Sequence, residues 1–221
     1  MDREILLIVD PMCSWCWGFS PSVEAMAEEY ADRAPVFPIA GGLRPLTTKP
    51  MTEAAKAEIR HHWEDVGKAS GQPFDFSFFE RDGFVYDTEP ACRALVTVRS
   101  LKPEAALPYL ASQHKAFYAE NRDITDPDVL AGLAEAAGLD RDAFAGAFPS
   151  RQMIYLTASD FFRSQSMGVS GFPTTVLREG ENLSLLSSGF MPFEDLKPRL
   201  DKWIAGELNA QAEDKNKTAK A

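Results

Sequence analysis

Cysteine is scarce in this chain: three in 221 residues, Cys13, Cys16 and Cys92. So few build no disulfide framework of the kind that staples small secreted domains. Basic residues are in deficit as well. There are 23 Lys and Arg against 33 Asp and Glu, giving a formal net charge of −10 and a pI of about 4.8. Nucleic acid and anionic membrane surfaces both require basic patches, so neither is expected as a partner. No apolar run approaches the length of a membrane span. The opening MDREILLIVD places charged residues before a short apolar run, and no small-residue cleavage site follows, so no signal peptide is expected. The setting these absences imply is cytoplasmic and reducing. There, close cysteines serve catalysis or metal binding more often than structural bridging.

What is present is an ordinary globular composition, 45% hydrophobic and 25% charged, on a chain long enough to bury a core. REILLIV reads as a buried strand ending at Asp10-Pro11, and residues 13–30 read as a helix kinked at Pro21. APVFPIAGGL is a second strand, whose Pro38 points to an edge. About a hundred residues of helical pattern follow, with Ile59, Trp63 and Val66 on one face, Thr88 as an N-cap and Asp126-Pro127 opening a further helix. TTVLRE and LSLLSS then form a hairpin, a closing helix runs from Met191, and the polar end from 208 reads as disordered. The expected class is α/β with a thioredoxin-like order, βαβ then ββα, and a large inserted all-helical domain. Residues 1–45 and 168–207 form the split domain, 46–167 the insert, and 208–221 the tail.

The stretch DPMCSWCWGF sets Cys13 and Cys16 where the first strand hands over to the first helix. Two cysteines at i and i+3 in a first helical turn close a disulfide with little backbone movement. The first lies among free N–H groups at the positive end of the helix dipole, which favours its nucleophilic thiolate. The second lies one turn inside and is better shielded. Cys13 is therefore the candidate attacking thiol and Cys16 the candidate resolving thiol. Ser14 and Trp15 lie between them, and Trp15 is expected to be exposed where a substrate must approach. Other readings compete: two buried thiols close by chance, or a zinc site completed by Cys92, His114 or the pair His61-His62. Against zinc, no second CxxC and no H-x₃-H is present, and Cys92 on an apolar helix face reads as core. A second signal is GVSGFPTT, residues 168–175. There Pro173, preceded by Phe172, stands just before a strand, where a cis-proline faces the dithiol in a thioredoxin-like fold.

MCSWCWGFSP together with GVSGFPT resembles the DsbA family of thioredoxin-fold thiol–disulfide oxidoreductases, closest to its FrnE-like disulfide isomerase branch without a signal peptide. AGGLRP at 40–45 and DTEPACRA at 87–94 also resemble segments of that branch. The resemblance implies Cys13 as nucleophile, Cys16 as resolving cysteine, Pro173 as the cis-proline and Pro21 as the kinking proline. It also implies protein or small-molecule disulfides and thiols as partners. No cofactor is implied, with glutathione open as a co-substrate, and no metal. Many relatives bury an acidic residue six positions before the first cysteine; here that position is Leu7, and Asp10 or Glu24 is the candidate replacement. The Ser14-Trp15 pair lacks the histidine of strongly oxidising relatives. A glutathione-dependent transferase or isomerase of small molecules is the second function open to the sequence, and a non-enzymatic redox or zinc-binding interaction protein the third. Oligomeric state is not legible.

Overall fold

The structure is a computed structural model and describes residues 3–208. Its sheet holds β1 (Arg3–Val9), β2 (Val36–Ala40), β3 (Thr174–Glu179) and β4 (Asn182–Ser188) in the order β2-β1-β3-β4. β1 pairs parallel with β2 and antiparallel with β3, and β3 pairs antiparallel with β4. The central place of β1 explains its unbroken apolar run. Ile5 to Ile8 are wholly buried because the strand has a packed layer on each face. Pro38 sits opposite Leu7 on the edge strand β2, where its missing N–H removes no ladder bond. The hairpin turns on Gly180, at φ 59°, and pairing resumes at Asn182, so the loop is shorter than GEN. A bulge in β4 skips Leu186 between Ser187 and Leu185, which carries Leu186 into the core while Leu183 and Leu185 stay exposed.

The helices are α1 (Ser14–Glu29), α2 (Glu53–Ser70), α3 (Glu89–Leu101), α4 (Ala106–Tyr118), α5 (Pro127–Ala136), α6 (Arg141–Ala147), α7 (Arg151–Ser166) and α8 (Phe193–Ile204). The short α6 and a 3-10 turn at Phe76–Glu80 have no counterpart in the sequence reading. α1 runs on through Pro21, which has no N–H for the Trp17 carbonyl one turn back. The Gln72 side chain supplies the missing donor, at 3.4 Å. Thr88 stands at the N-cap of α3, but its hydroxyl does not cap the helix; it accepts from the Arg44 N–H at 3.1 Å. No helix among the described residues is long and apolar enough to cross a membrane. The polar tail from 209 lies outside the described residues.

Two devices lock the helices to the sheet. Asp160 of α7 pairs with Arg99 of α3 through both carboxylate oxygens, at 2.7 and 3.0 Å. The same carboxylate accepts from the Ala40 N–H at 2.9 Å, and Arg99 donates to the Pro38 carbonyl at 2.6 Å. The free edge of β2 is thereby covered by a buried ion pair. The other device is aromatic. Trp63 of α2 is packed by the rings of Phe74, Phe76, Phe78, Phe79, Phe117 and Tyr118, with centroids 4.8 to 6.1 Å away. This cluster is continuous with Ile5 and Leu7 of β1 and with Cys16 and Trp17 of α1, so strands and helices share one core.

Candidate active site

β1 ends by running Asp10, Pro11 and Met12 into the N-cap of α1, which is Cys13 itself. The turn is tied by Cys13 N–H to the Asp10 carbonyl at 3.0 Å and by Cys16 N–H back to the Cys13 carbonyl at 2.9 Å. No side chain caps the helix, so the Cys13 sulfur stands at the amide end of the dipole. Its thiol points at the Phe172 carbonyl, 3.6 Å away, and the Phe172–Pro173 peptide is cis. Phe172 and Pro173, far apart from the dithiol in sequence, thus face Cys13 across the site. Phe172 is itself seated over Gly41, where a Cβ would lie 2.1 Å from a ring carbon.

Cys13 and Cys16 are free thiols, both buried; Cys13 keeps 7% of its surface and Cys16 1%. Burial pushes the Cys16 thiol well up, and its hydrogen bond to Cys13 and the charge there push it further. The Asp10 backbone opposes this, while the Asp10 charge adds to it. Trp17 is core, with its indole N–H donating to the Pro73 carbonyl at 3.0 Å. Trp15 is half-buried rather than exposed, because its ring leans on Phe190 at 6.0 Å. Ser14 is also half-buried, and both line the groove beside Cys13.

Of the two acids offered to replace the one missing at Leu7, only Asp10 is buried; Glu24 is exposed on α1. One Asp10 oxygen accepts from Met12 N–H at 2.8 Å. The other accepts from Leu43 N–H at 2.6 Å and from the Cys92 thiol at 3.3 Å. Burial raises the Asp10 carboxyl, and these bonds, with one from Thr88, only partly offset it. Cys92 is core, as read, but its sulfur touches this acid, and burial pushes its thiol well up. His114 is buried with Nδ1 3.1 Å from the Ser20 hydroxyl, and burial holds the imidazole down at about 4. His61 and His62 are exposed on α2. Among the described residues, no group of His, Cys, Asp and Glu is arranged to hold a metal ion.

A groove of about 220 Å³ opens beside Cys13, walled by Trp15, Arg44, Ile59, Trp63, Tyr86 and Phe172. Sequence reasoning did not assign Arg44, Tyr86 or Trp63 to the site. Arg44 lies within AGGLRP and Tyr86 directly precedes DTEPACRA, while Trp63 was read only as part of a helix face.

A model of the DSBA-like thioredoxin domain matches residues 4–201. The chain belongs to the DSBA-like thioredoxin family. Its structure superposes with a TM-score of 0.88 on a protein from Nitrosomonas europaea provisionally named a protein disulfide isomerase. The two are 37% identical, over 93% of this chain and 99% of that one. The cytosolic disulfide reductase DsbM of Pseudomonas aeruginosa superposes with a TM-score of 0.76 at 25% identity, over 91% of this chain and 98% of that one. A curated relative, the ClpXP adapter protein SpxH of Halalkalibacterium halodurans, is 24% identical over 177 residues, 78% of this chain and 58% of its own length. The chain thus spans less than two thirds of the curated relatives it matches.

Proposed function

We propose that this chain is a thiol–disulfide oxidoreductase, working in a reducing compartment on protein or glutathione disulfides. The observation that carries the reading is the Cys13 thiol, at the amide end of α1, facing the carbonyl before cis-Pro173. When a substrate disulfide is reduced, the Cys13 thiolate attacks one of its sulfurs. That S–S bond breaks, a mixed disulfide forms on Cys13, and the departing thiolate takes up a proton. Cys16 then gives up its proton and attacks the Cys13 sulfur. The second substrate thiol leaves, and two electrons have passed from the dithiol to the substrate. Phe172, through its backbone, lines up an extended substrate beside Cys13.

Asp10 is the group we assign to receive the Cys16 proton. It is the buried carboxylate whose charge acts on Cys16, and a carboxyl raised by burial is a better base near neutral pH than an exposed one. The reading also draws on DsbM, named a cytosolic disulfide reductase and solved with glutathione. The apolar groove of about 490 Å³ between α1 and α4 favours the transferase alternative less. Cys16 is in its wall and Cys13 is not, so a molecule lodged there does not meet the nucleophile.

Replacement of Cys13 by serine should abolish reduction of glutathione disulfide. Replacement of Cys16 should leave mixed disulfides on Cys13, visible by intact mass. A Cys13→Ser protein that still turns over would end the proposal.

A further inference from the structure

The acidity of the chain, 33 acidic against 23 basic residues, stops at the groove beside Cys13. The titratable side chains that line this groove are Cys13, Arg44, His62 and Tyr86, and no carboxylate is among them. The larger groove behind Cys16 has the opposite character, with Glu24 and Glu104 in its wall. Arg44 is exposed and carries its guanidinium 5.7 Å from the centre of the Tyr86 ring. Among the described residues it forms no ion pair. Asp87, just beyond Tyr86 in the chain, is not among the residues lining the groove, and its Oδ1 accepts the backbone N–H groups of Leu46 at 2.7 Å and Glu89 at 3.1 Å.

Arg44 is held from behind. Its N–H donates to the Thr88 hydroxyl, and its carbonyl accepts from Thr88 N–H at 3.3 Å and from the Thr47 hydroxyl at 2.9 Å. One residue earlier, Leu43 N–H is bonded to the same Asp10 carboxylate that fixes Met12 N–H. A single buried acid therefore sets the spacing between the Cys13 turn and the Arg44 loop. The Tyr86 ring under the guanidinium is pinned in turn by its hydroxyl, which donates to the Met12 carbonyl at 2.6 Å.

We propose that Arg44, over the Tyr86 ring in the groove beside Cys13, is a carboxylate-binding subsite that selects small anionic thiols and disulfides, glutathione above all. The inference rests on the redox reading of the dithiol. A planar guanidinium fork takes a carboxylate through two parallel N–H bonds, and an aromatic ring beneath it adds a cation–π contact. Glutathione carries a carboxylate on each side of its sulfur. Cys13 and Arg44 line the same groove, so a glutathione bonded through its sulfur to Cys13 would lie with a carboxylate on the Arg44 side. A disulfide with ammonium groups in the same places, such as cystamine, meets the guanidinium as a like charge.

The test is the ratio of kcat/KM for glutathione disulfide to that for cystamine, in wild type and in Arg44→Gln and Arg44→Lys. Arg44→Gln should raise KM for glutathione disulfide about tenfold and speed cystamine, with Arg44→Lys between. A ratio equal to that of wild type, or equal losses on both substrates, would overturn the subsite. S-methylglutathione, which cannot exchange disulfides, gives a second measure by calorimetry on the reduced protein. Its Kd should weaken about tenfold in Arg44→Gln, and an unaltered Kd would also overturn the subsite. Wild type that reduces neither disulfide defeats the redox reading instead, and the S-methylglutathione Kd still decides Arg44. Arg44 is exposed, so the variants should fold, and their urea midpoints check this.

Discussion

Asp10→Asn should gain stability relative to wild type as the pH rises, although it breaks a buried hydrogen-bond network. The carboxylate accepts on both sides, from Met12 N–H on one oxygen and from Leu43 N–H and the Cys92 thiol on the other. An asparagine has one oxygen. Whichever way the amide turns, one backbone N–H meets an NH₂, at a cost of about 1–3 kcal/mol. Opposing this, burial raises the wild-type carboxyl despite all of its hydrogen bonds, so its ionised form is held at a cost. Every pH unit by which the folded group titrates above the unfolded one corresponds to about 1.4 kcal/mol. The sign follows from linkage. The folded value lies above the unfolded 3.8, so wild-type stability is full below 3.8 and is lost as the pH climbs through the folded value. Asparagine does not titrate. The variant should start below wild type at pH 4 and close the gap, or pass it, by pH 8. Urea unfolding of both reduced proteins, followed by tryptophan fluorescence at the two pH values, measures the gap. A gap that widens from pH 4 to pH 8 refutes the idea that burial dominates at Asp10. The same variant should resolve mixed disulfides more slowly, since Cys16 loses its proton acceptor. An acid kept at a cost in stability is what a working residue looks like.

Three further outcomes follow from particular contacts. His114 is held at about 4 against an ordinary 6.5, so the fold gives up about 3 kcal/mol as the pH drops from 6.5 to 4. NMR of its ring protons should place the titration near 4, and His114→Gln should flatten that part of the stability curve. Asp160→Ala leaves the Arg99 guanidinium with the Pro38 carbonyl but no counter-charge, strands the Ala40 N–H, and should cost about 3 kcal/mol in chemical denaturation. Replacing Arg99 and Asp160 together by apolar residues should recover most of that loss. Gly41→Ala places a Cβ 2.1 Å from the Phe172 ring, which must shift in the wall beside the carbonyl that faces Cys13. The dithiol potential, titrated in glutathione buffers, should shift, whereas Gly67→Ala, with nothing closer than 3.6 Å, should leave it where it is.

The sequence by itself determined the parts of this protein that depend on near neighbours. A short apolar run before Asp10-Pro11, a CxxC straight after it and a helical period beyond fix a strand, a reactive first turn and a helix, because backbone geometry and the helix dipole act over a few residues. The same logic placed Pro38 on an edge and Pro173 before a strand. Tertiary structure decided what depends on residues brought together from far apart. Asp10 and Glu24 were equal candidates in the sequence, and only packing buries one and exposes the other. Thr88 had the composition of an N-cap, yet its hydroxyl answers to Arg44, forty-four residues away. Trp15 was expected in solvent and leans instead on Phe190, from beyond the helical insert. The groove that gives Arg44 its meaning is walled by residues from Met12 to Phe172. No local pattern encodes it, since its shape comes from burial in a core that strands and helices share.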